Sequence, residues 1–130
     1  MKIPDDVAEM LENEMSIKTI GTVDGNLNVN LEHIKAIKIT GDDTILIPYL
    51  TGHDRTLKNL QKNKKISIAI FASGIIAFKL NGLFTEITQS KKHLEYFSKF
   101  FDKNKLAGAI GIRITKIYAL TMAIAGETIA

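Results

Sequence analysis

The stretch SIKTIGTVDGNLNVN, residues 16–30, alternates apolar and polar side chains on both sides of an Asp-Gly-Asn turn. A period of two places successive side chains on opposite faces of a strand, and Asp-Gly between two such runs is a strong hairpin signal. The texture recurs along most of the chain. Strands are expected over 16–23, 27–39, 44–50, 66–72 and 75–88, with one or two more in 109–125, and turns over 24–26 and 40–43. In the second strand Leu27, Val29 and Leu31 point one way and Asn28, Asn30 and Glu32 the other; the phase slips near His33, which predicts a bulge or a strand break. The run 66–72 is almost wholly apolar and reads as buried on both faces, while Asn81-Gly82 marks a turn or a bend within 75–88.

Helices punctuate this pattern. Pro4, Asp5 and Asp6 suit the first turn of a helix over 4–15 whose Val7, Met10 and Leu11 share a face. A second helix over 55–62 turns Leu57 and Leu60 inward, with Asp54 or Thr51 as its cap, and a third runs from Ser90 to about Lys103 with Leu94, Phe97 and Phe101 aligned. Strands joined mostly by tight turns give a mainly β fold, with six or seven largely antiparallel strands, two or three flanking helices, and closure into a barrel that removes sticky edges. At 130 residues the chain reads as a single domain, 1–130, with no repeat or linker.

Composition narrows the chemistry. Cysteine is absent, which removes disulfides, thiolate metal sites and thiol nucleophiles, and the three scattered histidines (His33, His53, His93) argue against structural zinc, so no metal is expected. The formal charge of +3 is mild, and KNKK at 62–65 reads as a solvated helix end rather than a nucleic-acid footprint. The acidic N-terminal segment is unlike a signal peptide and no apolar run approaches a membrane span, so a cytoplasmic protein without nucleic-acid or membrane partners is expected. No Ser-His-Asp spacing or working carboxylate pair stands out, and Tyr96, Phe97, Phe100 and Phe101 read as packing residues.

Lysine is abundant, yet the chain has two arginines, and one of them opens the second helix in TGHDRTLKNL, 51–60. The first turn of a helix exposes free N–H groups at its positive end, a setting that favours phosphate. Gly52 permits close backbone approach, Thr51 and Thr56 offer hydroxyls, and Arg55 supplies a bidentate fork. Asp54 works against an anion unless its carboxylate turns back to cap the helix. The residues are equally compatible with a capped surface helix carrying an incidental arginine.

In order, the helix VAEMLENE, the hairpin TIGTVDGNLNVN, the strand TILIPYL with its internal proline, the turn TGHDRTLKNLQKN and the strands ISIAIF and AFKLNGLFTEIT span nearly the whole chain. So arranged, the chain resembles the FMN-binding split-barrel superfamily that includes pyridoxamine 5'-phosphate oxidase. It is most similar to that superfamily's small single-domain FMN-binding proteins of anaerobes. The resemblance implies FMN as cofactor and redox work, as an electron carrier or a flavin-dependent oxidoreductase. It further implies a homodimer with the cofactor at the interface, serving a redox partner protein or a small-molecule substrate. Arg55 and Thr56 match the phosphate-binding positions, with Thr51, Gly52 and His53 lining the approach. Asn30, Leu31 and Glu32 match the strand end beside the isoalloxazine and ribityl chain, and Ile47 and Pro48 match the strand flanking the flavin. Glu14 matches a position that places a carboxylate near the flavin across the dimer, and also reads as a plain helix-end acid.

The chain departs from the pattern in three ways: it has no tryptophan, no arginine-rich C-terminal segment, and a glutamate, Glu32, where the small proteins carry an aromatic residue. A different phosphorylated cofactor such as a deazaflavin, or haem, fits the same turn. A non-catalytic small barrel binding a polyanion is the alternative from another class. The apolar terminal run 109–125 is expected to lie partly against a partner subunit.

Overall fold

The computed structural model describes residues 1–72, 76–102, 104–120 and 128–129. Seven strands form one sheet: β1 (Ile17–Val23), β2 (Val29–Ile34), β3 (Lys38–Ile39), β4 (Thr44–Leu50), β5 (Lys65–Ala72), β6 (Ile76–Thr88) and β7 (Leu106–Ala119). Three helices accompany them: α1 (Asp5–Glu12), α2 (Asp54–Asn63) and α3 (Lys91–Phe97). The strand order is β2-β1-β5-β6-β7-β4-β3, and every neighbouring pair is antiparallel. Its two end strands, β2 and β3, are consecutive in the chain and joined by the short link 35–37. The rolled sheet is therefore bridged at its seam by covalent chain rather than by a hydrogen-bonded ladder, which makes it a split barrel.

Alternation on the long strands fills the interior. Ile20, Ile66, Ile68, Ile70, Leu80, Ile110, Ile112, Ile114 and Ile117 form one cluster, joined by Val7 and Leu11 of α1 and Leu60 of α2. Each such side chain contributes about 1.5–3 kcal/mol when fully buried. A second cluster lies where α3 covers the sheet: Phe97 packs with Ala36, Leu46 and Ala109, flanked by Tyr96, Phe100 and Phe101. The aromatic group therefore packs, as its sequence spacing indicates.

Several expected boundaries shift for physical reasons. The phase slip after His33 is a strand break, because β2 ends at Ile34 and the chain re-enters as β3 at Lys38. The Asn81-Gly82 pair is a bend within one continuous strand, where the register with β7 slips. A Cβ on Gly82 would come 2.5 Å from the Ile112 Cγ2 and 3.0 Å from the Arg113 carbonyl oxygen, so the bend presses this backbone against β7. Strand β5 buries only Ile66, Ile68 and Ile70, leaving Ser67 and Phe71 exposed, so it is not buried on both faces of the chain. Helix α3 ends at Phe97, short of the expected reach, and Ser90 makes no side-chain cap. The Ser98 hydroxyl donates to the Glu95 carbonyl instead, a local bond that competes with helix continuation. Its expected end, Lys103, and the terminal residues 121–125 lie outside the described residues. Within 109–120 Ile110, Ile112, Ile114 and Ile117 of β7 join the barrel cluster, while Ala109 is buried under α3. Among the described residues, no helix is long and apolar enough to cross a membrane.

Candidate functional site

Strand β2, the turn 51–53 and the start of α2 enclose a cleft of about 550 Å³, lined by Asn30, Leu31 and Glu32, by residues 52–56 and by Lys58 and Asn59. Cross-strand partners share a face, so the pairs Ile20↔Glu32 and Thr22↔Asn30 place Glu32 and Asn30 on the side of β1 that faces inward. Helix α2 meets them with an unusual buried stripe. Thr56, Asn59 and Leu60 are all buried: Leu60 joins the apolar core, and Asn59 donates to Thr22 Oγ1 of β1 at 3.0 Å. The hydrogen bond fixes the helix start over the end of β2.

Gly52 has φ +86°, the left-handed region that a residue with Cβ enters only under strain, while the space beside it is open. The turn therefore needs glycine for its backbone conformation rather than for close approach by another part of the chain. Asp54 is the first residue of α2 and not its cap; His53 precedes the helix, and neither it nor Thr51 caps by side chain. The Asp54 carboxylate turns aside and accepts the Tyr49 hydroxyl hydrogen bond. That bond, with burial and the charge of Asp54 adding, holds the Tyr49 proton and raises its pKa above the ordinary tyrosine value. Asp24, a third acid on the rim, is engaged by the Asn26 and Asn28 amides and the Asn28 side chain at 2.8–3.1 Å. The Asn28 bonds foremost lower its pKa.

Glu32 is placed differently. Its Oε2 accepts the Thr56 hydroxyl at 2.7 Å and its Oε1 meets His53 Nδ1 at 2.9 Å. Asn30 Nδ2 reaches Thr56 Oγ1 at 3.3 Å, completing a small network at the helix start. Arg55 and Lys58 line the same cleft, and among the described residues neither has a carboxylate partner. The donors at this helix start thus converge on a pair of anionic oxygens, with two cations beside them.

The fold and these contacts can be set against solved proteins. No family model matches the sequence, and no curated protein matches it either. Solved structures do match. An FMN-binding protein from Syntrophomonas wolfei is 21% identical over 88% of this chain and 83% of its own, with a TM-score of 0.73. HupZ of Group A Streptococcus is 21% identical over 95% and 98%, with a TM-score of 0.73. The fold is that of the pyridoxamine 5'-phosphate oxidase-like split barrels. A pyridoxamine 5'-phosphate oxidase-like protein from Lactobacillus delbrueckii has the same split barrel at 12% identity, covering 91% of this chain and 94% of its own, with a TM-score of 0.69.

In this split barrel, Asn30, Leu31, Glu32, Gly52, His53, Arg55 and Thr56 line one cleft. Thr51 stands outside the lining, exposed, its amide bonded to the Lys105 carbonyl at 2.7 Å. Ile47 and Pro48 are buried in β4 opposite Ile110 and Ala109 and do not reach the cleft from within the same chain. Strand β3 runs only opposite Ile45 and Leu46, so beyond it β4 has a free side where proline is tolerated. Glu14 is exposed on a separate hollow, with Lys18 and His33. Sequence reasoning missed Asn59 and Lys58. The available signal was spacing: Asn59 follows Thr56 by three residues and Lys58 follows Arg55 by three, which places each pair on one helix face.

Proposed function

We propose that the cleft at the start of α2 holds the phosphate of FMN and that the protein is a flavoprotein of redox chemistry, either an electron carrier or a flavin-dependent oxidoreductase. The carrying observation is the seat that Thr56 and His53 form for the Glu32 carboxylate, with Arg55 alongside. An anion with two oxygens already rests there, so the donor set fits a phosphoryl group; the other two acids of the rim are tied up by Tyr49 and by the Asn26–Asn28 turn. Arg55 would grip phosphate oxygens, the Thr56 hydroxyl and the first amides of α2 would donate to them, and Asn30 would orient the polyol beside them. When bound, the flavin supplies hydride or single-electron transfer, and the chain positions it.

The reading includes a homodimer. Val29 and Leu31 lie on the outer face of β2, 68% and 70% exposed, next to the cleft that Leu31 also lines. A second copy on this face would cover both the apolar row and the open side of the cofactor, and that copy would bring its Ile47 and Pro48 toward the flavin. A likeness to an FMN-binding protein at 21% identity supports the cofactor without naming a substrate.

The test is the absorbance spectrum of the purified protein incubated with FMN and desalted. The expected outcome is retained flavin bands that bleach on reduction. A colourless protein that retains no added FMN contradicts the reading, and a deazaflavin or haem would be recognised by its own bands.

A further inference from the structure

The acid in the seat has a consequence for which anions can enter. Glu32 cannot keep both of its hydrogen bonds while a phosphoryl group takes Thr56 and His53, because each contact at 2.7–2.9 Å occupies the donor concerned. Nor can two anions share the seat, since like charges a few ångströms apart repel strongly at a partly buried site. The Glu32 side chain is one-quarter exposed, so it has room to turn out toward the cleft.

We infer that Glu32 is the specificity-determining residue of this cleft: it yields the seat by exchange, and so favours a phosphate that carries hydroxyl groups beside it over a bare phosphate. A phosphorylated polyol supplies new hydrogen-bond donors to the displaced carboxylate, whereas inorganic phosphate leaves it facing an anion with nothing in return. Discrimination of this kind is a difference of two affinities, and the repulsive partner contributes as much as the attractive ones. Arg55 and Lys58 remain on the rim in either state and hold the entering charge. The inference rests on the FMN reading for its polyol arm alone.

The experiment compares wild-type protein with Glu32→Gln and Glu32→Ala, using inorganic phosphate and FMN as separate probes. Phosphate binding is followed by the amide resonances of residues 52–56 in 15N-labelled protein, and FMN by flavin fluorescence, with thermal melts confirming the fold. Both variants are expected to bind inorganic phosphate at least tenfold more tightly than wild type, while FMN affinity changes by less than about threefold. Phosphate affinity that is unchanged or weaker in well-folded variants, or phosphate that binds none of the proteins, overturns the inference. Should phosphate show the gain while FMN binds none of the three, the flavin reading falls and the role of Glu32 stands. Should FMN bind all three while phosphate does not respond, the reverse holds.

Discussion

Lys18 sits on the inward face of β1, 1% exposed, and donates to the carbonyls of Asn13 and Ser16 at 2.7 and 3.2 Å. It fastens the chain that leaves α1 to the strand that follows. Loss of water around the ammonium lowers its pKa from the ordinary lysine value near 10.5, a shift that the nearby Glu14 carboxylate only partly offsets. The unfolded chain therefore holds this proton to higher pH than the folded one, and stability rises as pH climbs from the folded value toward 10.5. Urea unfolding across that alkaline window is expected to show the rise in wild type and a flatter segment in Lys18→Met; parallel curves would refute it. No reading of the sequence placed this lysine. Lys18, Ile20 and Thr22 share one face of β1 and Ile17, Thr19 and Val23 the other, so each face mixes apolar and polar residues and period alone does not say which turns inward. The same limit applies at Glu32: the resemblance put it beside the cofactor, but nothing in the sequence showed it bonded to Thr56 and His53.

At the scale of elements, periodicity and turn chemistry carried most of the information. The β1–β2 hairpin, the break after His33 and the placement of Arg55 in the first turn of α2 all follow from short-range patterns. What escaped was set by neighbours distant in sequence. The exposed side of β5 is invisible in an apolar run of this kind, and α3 stops where the Ser98 hydroxyl finds a carbonyl. Gly82 shows the coupling most sharply, since its register slip accommodates Ile112 on β7. Gly82→Ala forces a methyl group against the Ile112 side chain and the Arg113 carbonyl, and overpacking of this kind typically costs about 1–3 kcal/mol. Chemical denaturation should place the variant below wild type by that amount. A variant of equal or greater stability would mean that β6 can shift away from β7 at little cost.

The whole molecule is a barrel whose ends meet through the link 35–37, and several large apolar side chains stand exposed on its surface. The strand alternation of β2 was legible, but its direction was not: Asn30 and Glu32 face the cleft, Val29 faces solvent and Leu31 stands exposed at the cleft's edge, with Leu27 exposed in the preceding turn. An apolar row on an edge strand is a contact surface or an aggregation hazard, and the proposed homodimer uses it. The expected partner face on the terminal run thus shifts in the proposed dimer to β2, because the described part of β7 buries its isoleucines. In sedimentation velocity, wild type is expected at twice the 14.4 kDa chain mass, and Val29→Lys is expected to move toward the monomer with its fold intact. A wild-type monomer would remove the dimer and, with it, one wall of the proposed flavin site. The central claim is the anion seat beside Arg55, and it is tested most directly by titrating wild type and Arg55→Ala with FMN and with riboflavin, which differ by the phosphate. Wild type should prefer FMN by at least about tenfold, and Arg55→Ala should lose about 1.5–3 kcal/mol of FMN affinity while binding riboflavin as before. Equal affinity of wild type for the two flavins would contradict it.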